Sequence, residues 1–215
     1  MDASSPTLEI VTFVQGPTQT NAYLVADAAS GAAAVIDPAY DGEAIAGEAR
    51  RRGWTIGQIW LTHAHFDHFA GAAGVAEAFN TPVALHPEDQ PLWRFGGGGA
   101  LFGMGDFDPG PEPTVAFHHG MLLHLGAQRF EVRHTPGHSP GHVILIAPQA
   151  GVVFCGDLIF ASGVGRADLP GGDWETLLES IRREILSLPD ATRLLSGHGP
   201  ETTVGRERRA NPFLT

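Results

Sequence analysis

Four side chains of the kind that hold metal ions stand within six residues in the segment Leu61-Thr62-His63-Ala64-His65-Phe66-Asp67-His68. His63 and His65 are two residues apart, so an extended backbone turns both imidazoles to one side. Asp67 and His68 follow where the pattern changes to helix, and can face a second point a few ångströms away. Three Gly-rich turns supply further candidates: His138 in Thr-Pro-Gly-His-Ser-Pro-Gly-His, Asp157 in Phe-Cys-Gly-Asp and His198 in Ser-Gly-His-Gly-Pro. Imidazole and carboxylate without thiolate suit borderline divalent metals, with zinc first and iron or manganese as alternatives. Two such ions about 3.5–4 Å apart can share a hydroxide formed at neutral pH, because bound water falls to a pKa of about 7. A bridging hydroxide attacks an electrophilic carbonyl, and the same ions stabilise the oxyanion that forms.

The elements that must carry these residues alternate between short aliphatic runs and helical patterns. Leu8–Val14, Asn21–Ala26 and Ala33–Asp37 read as a strand meander bounded by the Gly16-Pro17 and Ser30-Gly31 turns. Glu43–Arg52 reads as a helix that Gly53 ends, behind three arginines suited to a helix C-terminus. Thr55–Thr62, Asp67–Phe79 and Pro82–His86 read as strand, helix and strand. Phe95–Pro113 is too rich in Gly and Pro for regular structure and too long for an ordinary connection, as in a lid or binding loop.

Strands resume at Met121–Leu125, Arg129–His134, Val143–Ala147 and Val152–Cys155. Asp173 then caps a helix whose apolar positions are Trp174, Leu177, Leu178, Ile181, Ile185 and Leu188. Thr192–Ser196 is a last strand and Val204–Ala210 a last helix. With no repeat and no linker, one α/β domain over residues 1–215 is expected, its two sheets covered by helices.

Composition narrows the function classes. All 13 basic residues are Arg, against 24 acidic ones, for a net charge of −11. That balance argues against binding nucleic acid, which relies on cations neutralising phosphates. A single Cys rules out an intramolecular disulfide and any CxxC motif. The start shows no signal-peptide pattern, and the longest aliphatic run, Val143 to Ala147, is far too short for a membrane span. A soluble cytoplasmic protein is expected.

The order H-x-H-x-D-H followed by isolated His, Asp and His resembles the metallo-β-lactamase fold superfamily along the whole chain. For any one of these histidines alone, an exposed turn residue or a satisfied core side chain would be the better reading. Seven ligand types in the matching order leave that reading little room. The resemblance implies a four-layer αβ/βα sandwich with the site at one edge between the sheets. It puts His63, His65 and His138 on a first metal, Asp67, His68 and His198 on a second, and Asp157 between both. Asp67 is also the expected catalytic carboxylate.

Gly156-Asp157-Leu158-Ile159-Phe160, Gly165-Arg166-Ala167-Asp168-Leu169-Pro170-Gly171-Gly172 and Arg209-Ala210-Asn211-Pro212-Phe213-Leu214 are similar to segments of the short, single-domain glyoxalase II-like thiolesterases. That subgroup implies hydrolysis of a small-molecule thioester, S-lactoylglutathione or a related one, with no nucleic acid or membrane partner and a homodimer left open. Full-length glyoxalase II adds a C-terminal helical domain that contacts glutathione, which has no counterpart here. The alternative is the persulfide dioxygenase branch, with one iron on His63, His138 and Asp157. The common zinc β-lactamases carry Cys where this chain has Asp157, and the nuclease branch fits poorly with the acidic balance.

Other residues have plainer readings. Cys155 reads as a buried small hydrophobe and His142 as a structural hydrogen-bonding residue. His86, His118, His119, His124 and His134 have no matching role. Arg166 either clasps a substrate carboxylate or pairs with Asp168, the pair being slightly favoured. The Phe95–Pro113 loop could fold over substrate or form a surface contact, and Asp37 could support a ligand from behind.

Overall fold

Strand β2 (Thr20–Asp27) is buried along its whole length because both of its faces meet a core. Ala22, Leu24 and Ala26 point into one apolar cluster, while Tyr23 and Val25 point into another, the period-2 alternation of a strand serving two layers. In the computed structural model, which describes residues 7–104 and 107–214, β1 (Leu8–Gln15) and β3 (Ala32–Ile36) flank β2 antiparallel. The first sheet continues through the parallel strands β4 (Thr55–Trp60), β5 (Val83–Leu85) and β6 (Val115–Ala116).

The second sheet holds β7 (Leu122–Leu125), β8 (Gln128–His134), β9 (Val143–Ala147), β10 (Val152–Gly156), β13 (Arg193–Ser196) and β14 (Thr202–Thr203), in the order β14-β13-β10-β9-β8-β7. A small hairpin of β11 (Ile159–Phe160) and β12 (Gly163–Val164) lies between β10 and β13 in the chain. Edge-on contacts of Trp60 with Phe130 and of Tyr23 with Phe154 fill the space between the sheets.

Helices α1 (Gly42–Arg52) and α3 (Ala72–Phe79) cover the outer face of the first sheet, and α5 (Trp174–Ser180) and α6 (Val204–Ala210) lie on the other side. The layers therefore run helix, sheet, sheet, helix, as expected. Asp41 caps α1 by accepting from Ala44 N at 2.9 Å, and Gly53 ends it at φ 74°. No helix among the described residues is long and apolar enough to cross a membrane.

Four expectations change. The single helix Asp67–Phe79 is two, α2 (Phe66–Phe69) and α3, with a break at Ala70-Gly71. Gly71 N bonds to Pro38 O and Ala39 O, and a Cβ there would lie 2.3 Å from Pro38 O, so tertiary backbone contact stops the helix. The strand expected to reach Thr62 ends at Trp60, freeing the next residues to turn into the site. The helix that Asp173 caps winds as a π-helix over Ile181–Ile185. Phe95–Pro113 is not all irregular: α4 (Gln90–Arg94) runs into 3₁₀ turns over Gly96–Phe102. Gly105 and Asp106 of that stretch, and the first six residues, lie outside the described residues.

The sheets are tied at one edge by residues far apart in sequence. Thr20 and His198 form an isolated bridge, and Asn21 Nδ2 donates to Ser196 O and Gly199 O, each at 2.9 Å. Tyr23 OH donates to Ser196 O at 2.6 Å.

Candidate metal centre

The seven predicted residues meet at this edge, each delivered shortly after a strand ends: β4 before His63 to His68, β8 before His138, β10 before Asp157 and β13 before His198. One set is all imidazole. His65 Nδ1 is 2.8 Å from His138 Nε2, which is 3.2 Å from His63 Nε2. Burial drives the pKa of His63 well down, that of His65 to about 3 and that of His138 below its ordinary value. The rings are therefore neutral, and hydrogen bonds choose which nitrogen keeps its lone pair. His138 Nδ1 donates to Arg166 O at 2.7 Å. His63 Nδ1 faces Thr62 Oγ1 at 3.0 Å, and that hydroxyl has already donated to Asp37 Oδ2. Both rings thus turn an unprotonated Nε2 inward, as a ligand requires.

The second set is mixed. Asp67 Oδ2 lies 3.4 Å from His198 Nε2 and 3.8 Å from His68 Nε2. His68 Nδ1 donates to Asp37 Oδ2 at 3.0 Å and His198 Nδ1 to Thr18 O at 3.1 Å, again leaving Nε2 inward. Asp157 stands between the sets. Its Oδ1 is 3.4 Å from His68 Nε2, and its Oδ2 is 3.6 Å from His138 Nε2 and 3.4 Å from His198 Nε2.

Two buried atoms test whether metal fits. His68 Nε2 and Asp157 Oδ1 have no hydrogen-bond partner although both are shielded from water. Such orphans are rare and costly, and a shared cation satisfies both. The residues fit two metal ions.

Without metal, charge is balanced by protons. Burial opposes ionisation of Asp67, but His68 and His198 outweigh it and hold the carboxyl at about 2. Burial likewise opposes charging of His198, yet bonds to Asp157 and Asp67 lift it to about 10. His68 is raised well above its ordinary value by the same two carboxylates, against burial. A ligand imidazole must be neutral, so filling the second set expels these protons and filling the first does not. Metal uptake at Asp67, His68 and His198 should tighten as pH rises toward about 10, by about tenfold per pH unit for the His198 proton, while uptake at the imidazole set stays flat above the ordinary histidine range. Calorimetry in buffers of different ionisation enthalpy reads the proton release, and two sites with the same pH slope would refute the difference.

Support behind the ligands was partly foreseen. Asp37, buried and at φ 49°, accepts from Thr62 N, Thr62 Oγ1 and His68 Nδ1 at 2.7–3.0 Å. His142 is structural as expected: Nδ1 bonds Thr135 Oγ1 at 2.8 Å, and Nε2 accepts from Asp157 N at 3.2 Å, fixing that ligand's backbone. Cys155 points into the helix-side core, away from the site, and burial pushes its thiol pKa up.

Sequence reasoning missed Thr20, whose Oγ1 donates to Asp67 Oδ2 at 2.9 Å. It also missed Asp89, which is fully buried and accepts from Ala64 N, Ser139 Oγ and Gly141 N at 2.9, 2.7 and 2.6 Å. Asp89 thereby clamps the loop of His63 and His65 to the loop of His138. Nothing in the His86-Pro-Glu-Asp89 run signals this.

His86, Glu88 and His134 also bring ligand-type atoms together. There, however, His134 Nε2 is spent on Pro140 O and His86 Nδ1 on Glu88 N, and the two rings stack at 4.1 Å. His118, His119 and His124 are exposed.

A cavity of about 230 Å³ opens on the centre, walled by Phe66, Phe102, Leu169 and Arg166 as well as His65, Asp67, His138, Asp157 and His198. Arg166 forms a two-pronged pair with Asp168 at 2.7 and 2.8 Å.

Known proteins share this fold. The chain is 35% identical over 184 residues to hydroxyacylglutathione hydrolase GloC of Haemophilus influenzae, covering 85% of this chain and 87% of that one. The solved structure of TTHA1623 in a di-iron-bound form superposes with a TM-score of 0.86 at 42% identity, over 95% of this chain and 100% of that one. The BLEG-1 B3 metallo-beta-lactamase superposes with a TM-score of 0.90 at 38% identity, over 96% and 100%. Residues 15–198 match the metallo-beta-lactamase superfamily, and the chain belongs to it.

Proposed function

We propose that this protein hydrolyses a small-molecule thioester, S-lactoylglutathione or a related acyl-thioester, with two metal ions, zinc first and iron or manganese as alternatives. The observation that carries the proposal is Asp157 standing between an all-imidazole set and a mixed set, with members of both lining one cavity. His63, His65 and His138 would hold one ion, and Asp67, His68 and His198 the other. When bound, the ions supply Lewis acidity and a nucleophilic water at neutral pH.

The chain's own residues do the positioning. Asp67 is the catalytic carboxylate: Thr20 fixes its Oδ2, and the group orients the attacking water on the cavity floor. The water oxygen forms the new C–O bond, the C–S bond breaks, one proton of that water leaves on the thiol and the other is released to solvent from the carboxylic acid product. Arg166 meets a substrate carboxylate by exchanging its partner Asp168. The 35% identical hydroxyacylglutathione hydrolase supports this reading. The proposed setting is the cytoplasm, with neither nucleic acid nor membrane as partner.

The test is turnover by metal-replete protein of S-lactoylglutathione, glutathione persulfide with oxygen uptake, and a chromogenic β-lactam. Thioester hydrolysis exceeding the other two by at least about a hundredfold is expected. Oxygen uptake without hydrolysis hands the site to the mononuclear-iron dioxygenase reading, and lactam turnover alone to the β-lactamases.

A further inference from the structure

Three large apolar side chains stand exposed on the glycine-rich stretch beside the metal centre: Phe95 at 67%, Leu101 at 61% and Phe102 at 50%. Their placement is built in. At Gly97, φ is 63° and a Cβ would lie 2.3 Å from Phe66 N and 2.7 Å from the Phe69 ring. Only glycine lets this stretch lie directly on α2, over the residue between His65 and Asp67. The Phe102 ring then sits 5.6 Å from that of Phe66. Behind it lies a second, smaller cavity of about 60 Å³, walled by Leu92, Phe95, Leu101 and Pro170. The smaller cavity shares His65, Phe102 and Leu169 with the cavity that opens on the metal centre. Among the described residues no Asp, Glu or Arg lines the smaller cavity, and on the larger one the guanidinium of Arg166 pairs with Asp168.

Exposed apolar surface that continues into a reaction cavity marks the place of an apolar ligand part. We propose that the small cavity is an acyl subsite. It takes the aliphatic chain of an acyl thioester whose carbonyl faces His65 and Asp67, so the protein selects among thioesters of one thiol by the acyl group. This rests on the thioester reading.

The test is a series of acetyl, propionyl and butyryl thioesters on one uncharged thiol. Burial of a methylene is worth about fourfold, so kcat/KM should rise about fifteenfold from acetyl to butyryl. The double variant Leu101→Ser/Phe102→Ser, whose side chains are at least half exposed, should cut that ratio to below about threefold. The ratio is internal to each protein and does not depend on its overall activity. A second readout needs no turnover: calorimetry of butyrate against acetate on metal-replete protein should show the same preference and its loss in the variant. A flat series, or a slope that survives in the variant, overturns the subsite. If no thioester is cleaved but the butyrate preference is present and lost in the variant, the thioester reading falls and the subsite stands.

Discussion

Asp67→Ala is expected to leave one metal ion per chain and to lower thioester hydrolysis by about three orders of magnitude or more, the scale on which a metal contributes to such a barrier. The substitution removes the carboxylate that faces both His68 Nε2 and His198 Nε2, and takes from Thr20 Oγ1 its acceptor. The imidazole set is untouched, since the bonds that orient His63 and His138 run to Thr62 and Arg166 O. Metal content by elemental analysis should therefore fall by one equivalent and not by two. Full activity with a single equivalent bound would sink the two-metal mechanism.

Gly197→Ala should come close to that effect without removing any ligand. A Cβ on Gly197 would lie 2.2 Å from Asp157 Oδ1 and 2.7 Å from His68 Cε1, far inside van der Waals contact. The backbone cannot retreat cheaply, because Gly197 N donates to Gly156 O and its carbonyl accepts from Asn21 N, both at 2.7 Å. Its φ lies outside the left-handed region, so a change would report the clash and not backbone strain. The expected result is loss of activity by at least about two orders of magnitude, with weakened binding of the second ion. Gly57→Ala, on a strand with open space around it, is the control. Wild-type metal content and turnover in Gly197→Ala would show that the site accommodates a methyl group.

The residues of the centre were legible because their signals are local: four ligand-type side chains packed into six residues after an aliphatic run, and His138, Asp157 and His198 each directly behind a glycine. Asp37 carried half of such a signal, a strand-end carboxylate. Thr20 and Asp89 carried none. Their partners lie 47 residues away for Thr20, and 25 to 52 for Asp89, and a common residue type at a common turn does not announce them. The same limit explains the broken helix, since Gly71 reads as a tolerated small residue until Pro38 O is brought against it. The layer order was accessible from alternation of elements. What the glycines of residues 96–99 do was not, because composition reveals freedom and not the surface against which it is used.

The tie between β2 and the end of β13 sets a schedule for biosynthesis. Asn21 must wait for carbonyl partners 175 and 178 residues further on, and Thr18 O waits 180 residues for His198. At about 5–20 residues per second, that interval is roughly 10 to 35 s of translation. During it, the first sheet has emerged without the end of β13 to which β2 is tied across the two sheets. The imidazole set is complete once His138 has left the ribosome, whereas the mixed set needs His198. His198 is the last side chain of the centre to be synthesised, and the His138 ring waits for Arg166 O to fix its Nδ1.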